Sequence, residues 1–275
     1  MTPLGASSSH PASNVPLLTE RRGGIAILTL NRPAQRNALS EALISALTEA
    51  IRDVGSDDAI RAVVIAGSPP AFCAGHDLKE MTAHRSDPDG GRGYYEDLFT
   101  RCSAMMSSIV RTPKPFIAAV EGIATAAGCQ LVATCDMAIA GADARLATNG
   151  IDQGLFCSTP MVALTRNVAP KHAMELLMSG RMIGAEEAAR IGLVNRVVSA
   201  GEALAAAIAL AEVCAAKSQV AVRTGKDAFY RQIGLGLDEA YAVTTKAMAC
   251  NMMAEDAAEG IGAFIEKRKP VWRDR

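Results

Sequence analysis

The sequence is short of aromatic residues, of net charge and of long apolar runs, and each shortage narrows what the protein can be. Aromatic residues make up 4% of the 275 residues and hydrophobic residues 49%, so the core must use small aliphatic side chains in close layers. A net charge of -1 gives no general field for nucleic acid or an anionic membrane. No apolar run reaches the roughly 18 to 20 residues that span a bilayer. We therefore expect a soluble globule with neither nucleic-acid nor membrane partners.

Paired cysteines and clustered metal ligands are also lacking. The seven cysteines are scattered singly without a CxxC pair, which predicts reduced thiols, and no histidines or carboxylates have metal-ligand spacing, which predicts no metal. Residues 1–16 are rich in Ser, Pro and Ala but contain no arginine and no apolar block. We interpret them as a disordered tail that is neither a secretory signal nor a transit peptide, and we predict a cytoplasmic protein.

The remaining chain alternates strands and helices before becoming wholly helical. Residues 24–30 and 61–67 have the apolar pattern of strands, and between them Ser40 begins a helical stripe. A strand, a helix and a second strand imply parallel pairing through a crossover. After residue 200 no strand pattern remains. We predict an α/β core over 17–200 and a helical region over 201–275 that packs on the core or on a sister subunit.

Two stretches of small residues carry the most chemical information. They are 71–78, Ala-Phe-Cys-Ala-Gly-His-Asp-Leu, and 124–131, Ala-Thr-Ala-Ala-Gly-Cys-Gln-Leu, each following a buried strand. Gly75 permits a backbone angle that exposes the His76 amide, while the small residues around Ala127 leave its amide open. Such amides stabilise an oxygen that gains negative charge, each by roughly 3 kcal/mol. Either stretch alone is more simply a structural turn, but the two in this order predict an oxyanion hole.

These stretches and others resemble the crotonase superfamily, also called the enoyl-CoA hydratase/isomerase family. The resemblance runs from about Gly24 to Trp272. It implies a spiral of ββα repeats, a helical C-terminal trimerisation region, a coenzyme A thioester as substrate and no separate cofactor. It also implies an oxyanion hole made by the backbone amides of His76 and Ala127. The matching segments are Leu30-Asn31-Arg32-Pro33, Asn37-Ala38-Leu39, 71–81, 114–136 and Phe264-Ile265-Glu266-Lys267-Arg268.

The acid and base of the family's hydratases are missing. The resemblance places their two glutamates at positions that hold Gln130 and Gly150 here, and neither residue can transfer a proton near neutral pH. A positioned acid or base contributes roughly a hundred- to ten-thousand-fold, so we expect hydration to be badly impaired. Asp152 is a candidate replacement, although a cap or turn is the commoner role for such a residue. Segments 124–131, 154–160 and 267–272 look most like one particular subgroup of the family.

Further site residues are implied by the resemblance. Substrate binding is expected of the first stretch and of the last helix, where an aromatic residue and a lysine reach the coenzyme in the family. The basic run that contains this lysine is equally typical of a solvated helix end. For the His76 imidazole, as distinct from its amide, a chemical role is the minor alternative. The implied substrate-binding residues are Ala74, Asp77, Leu78, Lys79, Phe264 and Lys267.

Two functions remain open at this point. The first is an acyl-CoA-processing lyase or isomerase of fatty acid metabolism that stabilises a thioester enolate, with an acid and base supplied from elsewhere. The second is a non-catalytic acyl-CoA-binding or regulatory protein, which the replaced residues at 130 and 150 favour. In either case the resemblance implies a homotrimer or a hexamer.

Overall fold

Strands of two to six residues alternate with helices in a computed structural model that describes residues 15–275. The strands are β1 (Leu17–Arg22), β2 (Ile25–Leu30), β3 (Ala62–Gly67), β4 (Ala71–Cys73), β5 (Phe116–Val120), β6 (Ile123–Thr125), β7 (Met137–Gly141), β8 (Arg145–Ala147), β9 (Ile183–Gly184) and β10 (Arg196–Val198). The helices are α1 (Glu41–Ser56), α2 (Leu78–Ala83), α3 (Arg92–Arg111), α4 (Ala127–Thr134), α5 (Ser158–Leu164), α6 (Pro170–Ser179), α7 (Ala185–Arg190), α8 (Ala203–Ala215), α9 (Gln219–Gln232), α10 (Leu237–Met252) and α11 (Glu255–Ile265).

The first helix begins where the sequence predicts. The Ser40 side chain accepts a hydrogen bond from the Leu43 amide, which satisfies one of the amides left over at a helix start. The apolar stripe of α1 then packs inward, with Leu43, Leu47 and Ile51 all buried. Strands β2 and β3 on either side of α1 pair in parallel, from Ile25 opposite Ala62 onward. The predicted crossover unit is therefore confirmed.

The strands alternate between two sheets as the chain advances. One sheet has the order β1-β2-β3-β5-β7-β10, in which β1 alone is antiparallel to its neighbour, and the other has the order β4-β6-β8-β9. Strands β3, β5 and β7 lie in the first sheet, and the strand that follows each lies in the second. Helices follow each pair. This arrangement is a spiral of ββα repeats, so the fold class implied by the resemblance is confirmed.

The sheets bury two apolar clusters of different size. The larger fills the space between both sheets and helices α1, α3 and α4. The smaller lies on the other face of the six-stranded sheet, where Ala203, Ala207 and Ala211 of α8 pack against β3, β5 and β7. Alanine at every fourth position lets the helix approach the sheet closely. Helix α8, the first helix of the predicted region over 201–275, therefore packs on the core.

A buried ion pair fastens the later helices to the core. The ammonium group of Lys226 on α9 lies 2.8 Å from Oδ2 of Asp136, and both side chains are largely buried. Asp136 also accepts hydrogen bonds from the Phe116 amide and the Tyr230 hydroxyl, each at 2.7 Å. Lys226 donates to the backbone carbonyl of Lys114 as well. This network fixes the direction in which α9 leaves α8.

The predicted tail is described only in part. Residues 1–14 of the predicted tail lie outside the described residues, whereas Val15 and Pro16 accept hydrogen bonds from the side chain and amide of Asn31.

Among residues 15–275, no single helix is long and apolar enough to cross a membrane. Taken together, α8 and α9 are long and apolar enough to span a membrane, but the chain bends by 107° between them.

Candidate active site

The first small-residue turn lies between β4 and α2. Gly75 has a φ of +95°, a region that side chains with a β-carbon rarely occupy, and it turns the chain so that His76 faces Leu39. The Leu39 amide donates to the Gly75 carbonyl at 2.7 Å, and the Asp77 amide donates to the Leu39 carbonyl at 3.0 Å. In a parallel bridge of this kind, the amide of the middle residue points to the opposite side. The His76 amide therefore points away from Leu39.

Arg32 and Asn37 hold this turn in place. Nη2 of Arg32 lies 2.8 Å from a carboxylate oxygen of Asp77, and Nη1 donates to the Ala38 carbonyl at 2.6 Å. Asn37 is completely buried, and its side-chain amide donates to the Ala71 carbonyl at 2.6 Å. Arg32 and Asn37, which precede α1, therefore hold the segment that contains Leu39 against both ends of the first turn.

Four residues of this turn are expected to bind substrate, and the structure gives them different surroundings. Both carboxylate oxygens of Asp77 are already engaged, one by Arg32 and the other by the amides of Lys79 and Glu80 at the start of α2. Ala74 is half-buried, while Leu78 and Lys79 are exposed. In this structure Asp77 therefore positions the turn and caps α2.

The second turn, between β6 and α4, is strained. Ala126 has φ and ψ of 50° and -117°, which costs about 1 to 3 kcal/mol for a residue with a β-carbon. Its amide donates to the Ala147 carbonyl at 2.9 Å, and its carbonyl accepts from the Gln130 amide at 3.0 Å. These bonds hold the turn so that the Ala127 amide leads α4. A helix N-terminus of this kind attracts negative charge.

The two turns meet. A methyl group added to Gly75 would lie 3.0 Å from Cβ of Ala126 and 3.5 Å from the Ala127 nitrogen. Within residues 15–275, no hydrogen-bond acceptor contacts the amide of His76 or that of Ala127. Buried amides nearly always have a partner, so two unpaired amides beside each other are suited to a ligand oxygen. The oxyanion hole itself remains a prediction.

Gln130 lies one turn along α4 from Ala127. Its side chain is 5% exposed, and within the described residues Oε1 has no hydrogen-bond partner. An amide can donate or accept a hydrogen bond but does not ionise near neutral pH. The side chain at the first expected glutamate position is therefore buried, polar and uncharged.

Gly150, at the second expected position, has no room for a side chain. A β-carbon there would lie 2.5 Å from the Leu155 carbonyl oxygen and 2.9 Å from Sγ of Cys157. The Gly150 amide donates to this sulfur at 3.3 Å, and its carbonyl accepts from the Leu155 amide at 2.9 Å. Asp152, the candidate replacement base, is exposed, and its carboxylate packs where a side chain on Gly180 would lie. Backbone after Gly150 therefore occupies the space that a side chain at position 150 would need.

His76 contributes its backbone amide to the first turn, and its imidazole side chain lies beside the turns. It packs edge-on against the ring of Phe99, with 5.3 Å between ring centroids. Burial lowers its pKa from 6.5 to about 4, so the ring is neutral near pH 7. Within the described residues its Nε2 has no partner. The side chain is therefore placed for hydrogen bonding without charge.

Two expected coenzyme contacts lie apart from these buried residues. Phe264 is 84% exposed at the end of α11, and Lys267 follows it in a left-handed conformation with an exposed side chain.

The structure places one further residue near the second turn that the sequence does not indicate. Thr148 follows β8, is 1% exposed, and has an Oγ1 without a partner among the described residues. Nothing in the sequence marks this threonine, because its place depends on the pairing of β6 with β8.

No metal site is apparent in the described part of the chain. Among residues 15–275, no three side chains of His, Cys, Asp or Glu are grouped so that they could hold a metal ion. Burial raises the pKa of the Cys129 thiol, next to Gln130 on α4, to about 12, so this thiol stays protonated. Apart from the ion pair of Arg32 with Asp77, the buried polar groups described at the two turns are therefore backbone amides and uncharged side chains.

A ββα spiral with small-residue turns after β4 and β6 defines a crotonase fold. The chain belongs to the enoyl-CoA hydratase/isomerase family, whose model matches residues 20–275. The human enoyl-CoA hydratase domain-containing protein 3 is 42% identical over 269 residues, which cover 98% of this chain and 86% of that protein. The rat protein of the same name is 41% identical over 272 residues, which cover 98% of this chain and 89% of that protein. The subgroup predicted from the three variant segments is therefore confirmed.

Solved structures agree with the family assignment. A crystal structure of an enoyl-CoA hydratase from Mycobacterium smegmatis has a TM-score of 0.89 and 53% identity, and covers 94% of this chain and 98% of its own. The human enoyl-CoA hydratase domain-containing protein 3 also has a TM-score of 0.89, with 42% identity, covering 94% of this chain and 100% of its own.

The prediction of a cytoplasmic protein is wrong by these comparisons, because the rat and human relatives are named mitochondrial proteins. That prediction rested on the composition of residues 1–16. A compartment is assigned by a targeting segment, whose recognition is not settled by overall composition.

Proposed function

We propose that this protein binds an acyl thioester of coenzyme A and stabilises its enolate between the amides of His76 and Ala127. The observation that carries the proposal is that both amides lack an acceptor among residues 15–275 and lie on turns in contact at Gly75 and Ala126. Removing a proton from the α-carbon, or adding a nucleophile at the β-carbon, moves charge onto the thioester oxygen. Preorganised amides in a buried site stabilise that charge.

The same residues argue against ordinary hydration. Gln130 cannot exchange a proton, and the backbone at Leu155 fills the space that a side chain at position 150 would need. The reaction we favour therefore relies on stabilisation of the enolate, with its proton carried by a group other than the two expected glutamates. Isomerisation of a double bond and other enolate reactions fit this description better than the addition of water does.

A panel of thioesters tests the proposal. Purified protein is incubated with enoyl-, dienoyl- and malonyl-CoA, and the products are followed by mass spectrometry. We expect turnover of at least one thioester and little hydration of crotonyl-CoA. If no thioester in the panel reacts, the enzymatic form of the proposal fails.

A non-catalytic acyl-CoA-binding protein is the second candidate function. Loss of both expected proton-transfer residues, with the fold and both turns retained, favours it. Calorimetry with butanoyl-CoA separates the two candidates from a protein that does not use thioesters. Binding without turnover supports the binding protein, and absence of binding contradicts both.

We also infer assembly into a homotrimer or a pair of trimers. Helices α10 and α11 expose large apolar side chains, among them Leu237 at 73%, Met248 at 65% and Phe264 at 84%. Apolar exposure on this scale indicates a protein interface. Light scattering after gel filtration tests the inference. We expect a mass near three or six chains, and Phe264→Glu should lower it. A monomeric wild-type protein would contradict the inference.

A further inference from the structure

The exposed face of α9 carries two adjoining grooves that the proposed function does not use. One lies between α9 and α10 and has a volume of about 500 Å³, and the other lies between α9 and the end of α3 and has a volume of about 430 Å³. Arg223, Asp227 and Arg231 line both grooves. Because these residues are spaced four apart, they lie along one face of α9 and join the two grooves. We call the joined grooves the α9 groove; their volumes fit a small molecule.

Positive charge dominates the α9 groove. Arg111 at the end of α3 and Lys246 on α10 line it together with Arg223 and Arg231. Asp227 is the one carboxylate that lines it within the described residues, and Asp227 pairs with Arg231 at 3.2 Å. The whole chain has a net charge of -1, so this concentration of cations is local. A groove lined by charge of one sign attracts ligands of the opposite sign.

Three of these cations have no acidic partner in the chain. Among residues 15–275, no carboxylate lies within 4.0 Å of the charged groups of Arg111, Arg223 or Lys246. Residues 1–14 contain neither Asp nor Glu, so that segment offers no carboxylate either. The three cations are therefore available to an anion from outside the chain.

The other charges near the groove are already engaged. Lys226 lines the groove beside the end of α3, but its ammonium group lies 2.8 Å from the Asp136 carboxylate. Asp274, whose charge acts on Arg223, accepts a hydrogen bond from Arg61 at 2.6 Å. These pairs neutralise one another and leave the excess of positive charge in the groove unchanged.

The α9 groove is separate from the two small-residue turns. Asp136, which holds Lys226 on the groove floor, follows the C-terminal end of α4, whereas the Ala127 amide lies at the start of that helix. Helix α4 has 8 residues and is therefore about 12 Å long. A ligand in the groove would thus lie beyond the opposite end of α4 from the proposed oxyanion hole.

The groove also lies away from the apolar face of α10. The exposed side chains of Leu237, Tyr241 and Met248 are spaced four and seven apart, so they share one face of α10. Lys246 and Cys250 line the groove from positions about half a turn away from that face. A sister subunit that covers the apolar face of α10 would therefore leave the α9 groove accessible.

We propose that the α9 groove binds the polyphosphate chain of a small molecule, such as a nucleoside triphosphate, at a site separate from the thioester. Guanidinium groups bind phosphate oxygens through pairs of parallel hydrogen bonds, and an ammonium group adds a point charge. Arg223 and Arg231 begin about 12 Å apart along the helix axis. One phosphate group cannot reach both of these long side chains as well as a chain of phosphates can. The site does not depend on the proposed thioester chemistry.

Inorganic triphosphate is the first probe, because it carries the proposed chemistry alone. Calorimetry on the full-length protein at low salt measures its binding, with inorganic phosphate and ATP as comparisons. We expect one saturable site per chain and an affinity for triphosphate at least about tenfold higher than for phosphate. Equal affinity for ATP and triphosphate would support binding through the phosphate chain alone, and tighter binding of ATP would support a nucleotide as the ligand.

Variants then assign the binding to the groove. Arg223→Gln and Lys246→Gln each remove one unpaired cation, so triphosphate should bind roughly five- to tenfold more weakly, while butanoyl-CoA should bind as before. Arg196→Gln is the matched control, since Arg196 on β10 is also exposed and has no acidic partner among residues 15–275 but does not line the groove. Lys267→Gln tests the expected coenzyme contact. Neither of these last two variants should change the affinity for triphosphate.

Several results would overturn the α9 groove as a polyphosphate site. Absence of saturable triphosphate binding to the unaltered protein would do so, whether or not the variants fold. An equal loss in Arg196→Gln would indicate attraction by overall charge, and a loss in Lys267→Gln without one in Arg223→Gln would place the phosphates at the coenzyme contact. Tighter binding of polyglutamate than of triphosphate would make the groove a contact for an acidic protein instead. Thioester binding is measured separately, so neither result decides the other.

Discussion

Gly150 lies so close to Leu155 that a β-carbon on the glycine would be 2.5 Å from the Leu155 carbonyl oxygen. Position 150, at which the resemblance predicts a glutamate in the family's hydratases, is therefore closed by backbone. A backbone oxygen cannot move aside as a flexible side chain can. A glutamate introduced at position 150 would require a different path for residues 155–157.

Stability measurements should reveal this closed position. Gly150→Ala is expected to lower the free energy of unfolding by about 1 to 3 kcal/mol, since the added methyl group overlaps with backbone. Gly225→Ala is the matched control, because a β-carbon there meets nothing within 4 Å and lies inside α9. The control should raise stability by about 0.5 to 1 kcal/mol. Urea unfolding compares them, and equal effects would contradict the closed position.

The first turn offers a test of ligand binding. Gly75→Ala forces a side chain into a φ of +95° and against Ala126, so the His76 amide should move away from the ligand oxygen. We expect butanoyl-CoA to bind roughly five- to tenfold more weakly, the effect of one lost hydrogen bond. Gly23→Ala is the control, because Gly23 also has a positive φ, of +56°, but open space around it. Unchanged affinity in Gly75→Ala would contradict the assigned amide.

The buried imidazole of His76 predicts a pH dependence of stability. Its pKa falls from 6.5 in the unfolded chain to about 4 in the fold, so the unfolded chain binds the extra proton first as the pH drops. This contribution is fully present above pH 6.5 and is lost as the pH falls toward 4, by about 3 kcal/mol in total. His76→Gln should remove that part of the decline. Urea unfolding between pH 7 and pH 4.5 measures it, and identical profiles for both proteins would show that the histidine titrates normally.

The buried ion pair between α9 and the core should contribute more to the free energy of unfolding than an exposed lysine does. Lys226→Ala leaves the Asp136 carboxylate buried with only its neutral hydrogen bonds, which costs about 3 to 5 kcal/mol. Lys171→Ala, at an exposed lysine on α6, should change stability by less than about 0.5 kcal/mol. Thermal unfolding followed by circular dichroism compares the two variants. Similar small effects would mean that α9 is held by apolar packing instead.

Much of the fold could be predicted from local patterns. The patterns at 24–30 and 61–67 give β2 and β3, and Ser40 marks the start of α1, because apolar runs and a serine at a helix start are local signals. The short strands β4, β6 and β9 carry only two or three residues each, and their pairing partners lie far away in the sequence. No local pattern identifies them.

The candidate site divides in the same way. The small-residue turns at Gly75 and Ala127 are visible in the sequence, since a tight turn demands particular residues. The burial of the Thr148 hydroxyl and the closure of position 150 depend on contacts between separate segments. The resemblance predicts that a glutamate is missing at position 150, but only the structure shows that a side chain at this position would overlap with backbone.

The most direct test of the account is the infrared spectrum of bound butanoyl-CoA with a ¹³C label at the thioester carbonyl. Two amides pointing at this oxygen polarise the carbonyl bond, so its stretching frequency should be lower on the protein than in water. The shift should shrink in Gly75→Ala and persist in Gly23→Ala. A bound thioester whose carbonyl frequency equals that in water would contradict the oxyanion hole of His76 and Ala127.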